Sequence, residues 1–254
     1  MKISIITVTY QAASTLRDAI ESVLGQDYPE VEYLIIDGGS TDGTQALVKS
    51  YGDRVHTFVS EPDKGLYDAM NKGIALATGD IIGMLNADDF YAHPNILSKV
   101  VEAMKTTSSE ALFGDLVYVR EPELDKVVRY YPGKGFHPDK MLSGNMPPHP
   151  TFFLRKTFYD EYGGFDTSYK ICADFDVMVR FFHQAKGSYV YLPEVMVNMR
   201  TGGSSTRGLS STFTINREML RACRKYGLST SLPRIYSKYF GKVFQLIRKP
   251  KTEV

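Results

Sequence analysis

Between Lys2 and Asp89 the chain alternates short β-branched runs with segments of helical spacing, and no other feature limits its fold so strongly. Lys2 to Tyr10, Val31 to Ile36, Val55 to Ser60 and Asp80 to Leu85 read as strands. Between them, Ala12 to Leu24 carries Leu16, Ile20, Val23 and Leu24 at helical spacing, and Thr44 to Tyr51 and Leu66 to Ala77 read as further helices. A βαβαβαβ order requires a largely parallel sheet with helices on both faces. Ligands of such sheets bind beyond the carboxyl ends of the strands. Those ends carry Asp37, then Glu61-Pro62-Asp63, then Asp88-Asp89, so three acidic clusters fall where a ligand belongs.

The pattern loosens after Asp89. Asn95 to Lys105 reads as a helix, and Glu110 to Val119 and Lys126 to Tyr131 as strands. A Gly/Pro-rich stretch, Pro132 to Pro150, is followed by a strand at Thr151 to Leu154 and helices at Lys156 to Tyr162 and Ala173 to Gln184. Val190 to Leu192 is a short strand, and Thr201 to Ser211 a Gly/Ser/Thr loop. Hydrophobic residues make up 43% and charged residues 23% of the 254, which excludes a disordered chain. No apolar run approaches the roughly 20 residues that span a bilayer. The short apolar start reads as a first strand rather than a signal peptide. The two cysteines, Cys172 and Cys223, make neither a disulfide framework nor a metal motif, so the expected location is the cytoplasm.

The net charge of +1 conceals an asymmetry. From Arg217 onward ten basic residues face only Glu218 and Glu253, while the remainder is net acidic. Leu232, Ile235, Tyr236, Tyr239, Phe240, Val243, Phe244, Leu246 and Ile247 recur at helical spacing, with Arg234, Lys238 and Lys242 at every fourth residue. A basic amphipathic helix with aromatics reads as a membrane-surface element, or as a terminal helix packed on the domain with a solvated basic face. The acidic body argues against nucleic acid as a partner. The domain reading is 1–215 for the body, divided into 1–90 and 91–215, and 216–254 for the basic tail.

Several residues carry chemistry. Asn86-Ala87-Asp88-Asp89 follows an apolar strand, and its carboxylates suit a hard divalent cation, Mg²⁺ or Mn²⁺, or else cap a helix. Asp37, followed by Gly38 and Gly39, accepts hydrogen bonds from a nucleotide or forms an Asx-turn. Asp174 stands at a helix start, where it serves as a general base or as a cap, and Asp176 and Arg180 have ion-pair spacing. Neither a P-loop nor the dinucleotide fingerprint Gly-x-Gly-x-x-Gly is present.

Together, Ser4 to Tyr10, Glu32 to Thr44 and Gly79 to Asp89 resemble the inverting glycosyltransferases of family 2, of the bacterial surface-polysaccharide type, in order and spacing. The resemblance covers roughly residues 3 to 205. It implies the GT-A fold: a Rossmann-like, mostly parallel sheet flanked by helices, here with an amphipathic helical tail. It makes 1–90 the nucleotide-sugar half and 91–215 the acceptor half.

By the same resemblance, Thr9 and Tyr10 line the nucleotide pocket and Asp37 meets the base. Asp63 and Lys64 flank the nucleotide, Asn71 and Lys72 open toward it, and Asn86 and Ala87 border the donor. Asp88 becomes the metal ligand of an Asp-x-Asp motif whose first Asp is Asn86 here. Cys172 to Arg180 resembles the family's Glu-Asp-Tyr-Asp-Leu-x-x-Arg segment, making Asp174 the base and Ala173 the replacement for a frequent Glu. His149 lies beside the donor sugar, and Gly203 and Ser204 belong to a loop closing over the diphosphate.

The expected function is transfer of a sugar from a nucleotide-sugar, UDP-linked in the first instance, to a hydroxyl of a lipid-linked or oligosaccharide acceptor. The basic tail would hold the enzyme peripherally on the cytoplasmic face of the inner membrane. A sugar nucleotidyltransferase and an inactive nucleotide-sugar-binding module are the alternatives.

Overall fold

The computed structural model describes residues 1–202 and 208–239, with side chains from residue 211 in the second segment. The first four strands and three helices lie where the apolar periodicity places them: β1 (Ile3–Thr9), α1 (Leu16–Leu24), β2 (Val31–Asp37), α2 (Thr44–Lys49), β3 (Thr57–Ser60), α3 (Leu66–Leu76) and β4 (Ile81–Met84). Then come β5 (Asp89–Tyr91), α4 (Ile96–Thr107), β6 (Ala111–Arg120), β7 (Glu123–Tyr131), β8 (Phe153–Arg155), α5 (Lys156–Tyr162), α6 (Ala173–Val179), β9 (Tyr189–Arg200), α7 (Gly208–Lys225) and α8 (Leu232–Tyr236).

One sheet runs β3-β2-β1-β4-β8-β6-β9-β5, with β7 paired to β6. Strands β3, β2, β1 and β4 are parallel throughout. The second half mixes directions: β8 is antiparallel to β4 and β6, β9 is parallel to β6, and β5 is antiparallel to β9. Alternation along the strands fills two cores. Ile3 and Ile5 of β1, with Tyr33 and Ile35 of β2, face α1 and α4, whereas Ile6, Val8, Leu34 and Ile36 face α3, α5, α6 and α7.

Besides β5, a short strand that the sequence reading did not place, three elements differ from it. The strand read at Val190 to Leu192 runs from Tyr189 to Arg200; Pro193 and Glu194 break its apolar pattern, but pairing with β6 and β5 carries it on. Helix α6 passes into a π-helical turn, Arg180–Ala185, that buries Phe181 and Phe182. Helix α7 begins at Gly208, inside the segment read as a loop, and crosses residue 215 without a break. It buries Met219, Ala222 and Cys223 in the core, and α8 adds Ile235. The boundary expected at 215 therefore falls inside a helix packed on the body.

Far from the strands' carboxyl ends, Glu32 ties the sheet together. It accepts hydrogen bonds from Lys2 Nζ (2.7 Å), Ser4 Oγ (2.5 Å), Thr78 Oγ1 (2.6 Å) and Thr78 N (2.8 Å). Burial alone would push its carboxyl up, but these bonds outweigh it and hold the group at about 2.

Candidate active site

The register sets the floor of the site. Thr9 lies opposite Asp37, and Asp37 opposite Ser60, at the ends of β1, β2 and β3. Asp37 is fully buried: its Oδ1 accepts from Ser40 Oγ at 2.5 Å, and its Oδ2 from Ser40 N at 2.9 Å and Ser60 Oγ at 2.6 Å. It thus builds the Asx-turn that opens the following loop. Gln11, with φ of 52°, clamps the same loop: its Oε1 accepts from Thr41 N and Asp42 N at 3.1 Å each, and its own N donates to Ser40 Oγ at 2.7 Å. Nothing in the sequence marked Gln11, because a side chain bonded to backbone two loops away leaves no periodic signal.

Above this floor, Tyr10 is 65% exposed. A Cβ added to Gly38 would lie 2.6 Å from Asp63 Oδ2 and 3.3 Å from Tyr10 Cδ2, so the missing side chain lets the carboxylate and the ring close on the backbone. Asp63 Oδ1 also accepts from Gly65 N at 2.8 Å. Thr9 is buried, and its Oγ1 has no hydrogen-bond partner. Thr9, Tyr10, Asp37 and Asp63 therefore gather at one point.

The remaining residues expected nearby divide. Lys64 is exposed, its N donating to Asp68 Oδ2 at 3.0 Å. Lys72 Nζ contacts Glu61 Oε1 at 2.8 Å and donates to Pro62 O at 3.3 Å, beside Asp63. Asn71 turns to another partner: its Nδ2 donates to Phe165 O at 2.8 Å and its Oδ1 accepts from Phe165 N at 2.7 Å. Both ends of its amide fasten α3 to the chain after α5.

The acidic turn after β4 is drier than its sequence suggests. Ala87 is buried, Asp88 is half-buried and Asp89 is fully buried. Asn86 Nδ2 donates to Asp89 Oδ2 at 3.0 Å, but Asp89 Oδ1 has no partner. Burial pushes the Asp88 carboxyl up, and burial with the neighbouring Asp88 charge pushes Asp89 well up. Arg200 is the cation at hand. It lies over the Phe90 ring at 5.1 Å, its Nη1 donates to Asp88 O at 2.8 Å, its Nε pairs with Glu121 at 2.8 Å, and its Nη2 pairs with Asp18. Two carboxyls in a dry turn, one with an orphaned oxygen, fit a hard divalent cation. No group of three or more His, Cys, Asp or Glu side chains capable of holding a metal forms among the described residues. A cation here would complete its shell with water and with oxygens of the substrate.

Asp174 stands in the first turn of α6, half-buried, its Oδ1 accepting from Phe175 N at 2.7 Å. Burial pushes its carboxyl up, and His149 partly opposes this. Burial pushes the His149 imidazole down, with Asp174 pulling the other way. The 3₁₀ turn His149–Thr151 packs against β4 and β6 and sets His149 near enough to Asp174 for each charge to act on the other. Aromatic rings pack beside His149: it meets Phe165 edge-on at 5.8 Å, and Phe165 stacks on Tyr67 at 5.6 Å. Tyr67 hydroxyl donates to Ile171 O. The expected Gly203 and Ser204 lie outside the described residues.

Comparison with known proteins agrees with this geometry. Residues 4–163 match the model for "Glycosyl transferase family 2". The Mycobacterium tuberculosis protein named uncharacterized glycosyltransferase Rv1514c is 32% identical over 180 residues, 70% of this chain and 68% of its own. The S. aureus TarS 1–349 structure in complex with UDP-GlcNAc superposes with a TM-score of 0.70 at 16% identity, covering 96% of this chain and 73% of TarS. The mannosyltransferase PcManGT of Pyrobaculum calidifontis, solved with GDP-Man and Mn²⁺, gives a TM-score of 0.60 at 17% identity, covering 98% and 81%. These two likenesses establish the shared GT-A fold. With the family model spanning most of the strands that carry the acidic turns, the chain belongs to glycosyl transferase family 2 and is a glycosyltransferase.

Proposed function

We propose that the protein transfers a sugar from a nucleoside-diphosphate sugar, UDP-linked in the first instance, to a hydroxyl of a lipid-linked or polysaccharide acceptor, with inversion at the anomeric carbon. The observation that supports the reading is the half-buried Asp174 carboxylate in the first turn of α6, near enough to His149 for each to act on the other's charge. Family membership argues against the nucleotidyltransferase alternative.

In this mechanism Tyr10 offers its exposed ring to the nucleobase, and Asp63 and the Asp37 turn frame the ribose side. Asp88, with Asp89 behind it, would hold Mn²⁺ or Mg²⁺, which on binding neutralises the diphosphate leaving group. Asp174 takes the proton of the acceptor hydroxyl as that oxygen attacks the anomeric carbon. The bond from that carbon to the diphosphate oxygen breaks, and the nucleoside diphosphate leaves with its electron pair. Burial raises the Asp174 carboxyl, which makes it a stronger base, and His149 opposes only part of that shift.

The test is a thermal-shift and turnover screen with UDP-, GDP- and dTDP-sugars, each with Mn²⁺, Mg²⁺ or EDTA. A metal-dependent upward shift with one nucleotide, and release of its diphosphate, is the expected result. Asp174→Asn should lower transfer about 100-fold or more while leaving that shift in place. Wild-type turnover in this variant would remove Asp174 as the base.

A further inference from the structure

The turn that presents Asp174 is held by a carboxylate the transfer reaction does not use. Glu218 lies in α7, half-buried. Its Oε1 accepts from Lys170 N at 2.8 Å, and its Oε2 from Ile171 N and Cys172 N at 3.0 Å each. These are three successive amides, ending at the residue that caps α6, and that cap has no side-chain hydrogen bond of its own. A carboxylate binding several N–H groups is the strong, charge-assisted kind of hydrogen bonding.

Neighbouring residues on α7 grip the same stretch. Cys172 Sγ contacts Ile215 O at 3.6 Å, Arg221 Nη2 donates to Ser168 Oγ at 2.5 Å, and Lys225 Nζ pairs with Asp166 at 3.0 Å. Ile215, Glu218, Arg221 and Lys225 are spaced at three, three and four residues, one face of a helix. From the opposite side Tyr67 hydroxyl holds Ile171 O. The backbone two residues ahead of Asp174 is therefore clamped between α3 and α7, and Glu218 supplies most of the α7 grip.

We infer that Glu218 is a positioning residue for transfer: it fixes the backbone from Lys170 to Cys172 and, through it, the aim of the Asp174 carboxylate. This rests on Asp174 being the base. Truncating Glu218 leaves three amides without their acceptor and lets the turn move. Misplacement of a reacting group by about 1 Å costs on the order of 100-fold in rate.

The experiment uses the full chain and compares wild type, Glu218→Gln, Glu218→Ala, Asp174→Asn and the two double variants. Turnover is read as nucleoside-diphosphate release from the donor selected in the screen, UDP-N-acetylglucosamine being assayed first. Glu218→Ala should lower kcat about 10- to 100-fold with the donor KM within about twofold. Glu218→Gln keeps one carbonyl acceptor and should recover part of that loss. In the Asp174→Asn background neither Glu218 change should lower kcat further, because both act through the same atom group. An unchanged kcat in Glu218→Ala, or equal losses in both backgrounds, overturns the inference and leaves Glu218 a structural tie. Should the Ala variant not fold, the Gln pair decides by the same comparison. Wild-type transfer in Asp174→Asn is a different failure, that of the base assignment, and takes this inference with it.

Discussion

At the scale of single residues the site depends on how each carboxyl is solvated. Asp37 is saturated by Ser40 and Ser60, whereas Asp174 is bonded only by backbone N–H groups at the start of α6 and has a nearby imidazole whose own value burial pushes down. A carboxyl lifted by burial is a base only above its raised value. The acidic limb of kcat/KM should therefore lie above the ordinary carboxylate range, near pH 4, and activity should fall as pH drops through it. A pH–rate profile of the wild type with saturating metal checks this, and a limb at or below pH 4 would contradict it. The sequence made Asp88 visible because it follows the end of a strand, and Asp174 because it begins a helix. It could not show that Asp89 is the drier partner of Asp88, since burial depends on β9 returning Arg200 from over a hundred residues away.

At the scale of elements, side chains that hold two segments together look in sequence like side chains that hold a ligand. Asn71 is the clearest case. It was expected to open toward the nucleotide, yet both ends of its amide bond to the Phe165 backbone. Gly164 leaves it room, because a Cβ there would lie 2.2 Å from Asn71 Oδ1. Asn71→Ala removes two hydrogen bonds and strands a buried N–H and C=O, which should cost about 2–4 kcal/mol of stability. Urea unfolding should register that loss, and the Kd for UDP should move far less than stability does. A large Kd change with unaltered stability would return Asn71 to the nucleotide. Strand and helix periodicity located the elements of the first half because each element there is buried by its own repeat. It lost β9 and α7, whose pairing with β6 and packing on α6 override a broken apolar pattern.

At the scale of the molecule, the acidic body and basic C-terminal segment are partly reconciled internally. Lys225 pairs with Asp166 and Asp176, Arg221 holds Ser168 and lies over Tyr169, and Lys238 is buried against α7. Glu218, one of the two acids in that segment, is spent on backbone amides. Among the described residues no helix is long and apolar enough to cross a membrane. Beyond the described residues the sequence carries four further cations, Lys242, Arg248, Lys249 and Lys251, beside Phe244, Leu246 and Ile247. Each basic residue near an anionic surface contributes about 1 kcal/mol, so four of them are worth roughly 100- to 1000-fold in partitioning. The full chain should therefore bind phosphatidylglycerol-rich vesicles at low salt, release from them at about 0.5 M salt, where the Debye length falls to roughly 4 Å, and ignore phosphatidylcholine vesicles. Replacing the four cations by Gln should abolish sedimentation with anionic vesicles and leave sugar-nucleotide turnover in solution intact. Equal binding by the wild type and the four-fold variant would place any lipid contact elsewhere, and the basic segment would then serve only to pair with the acids of the body.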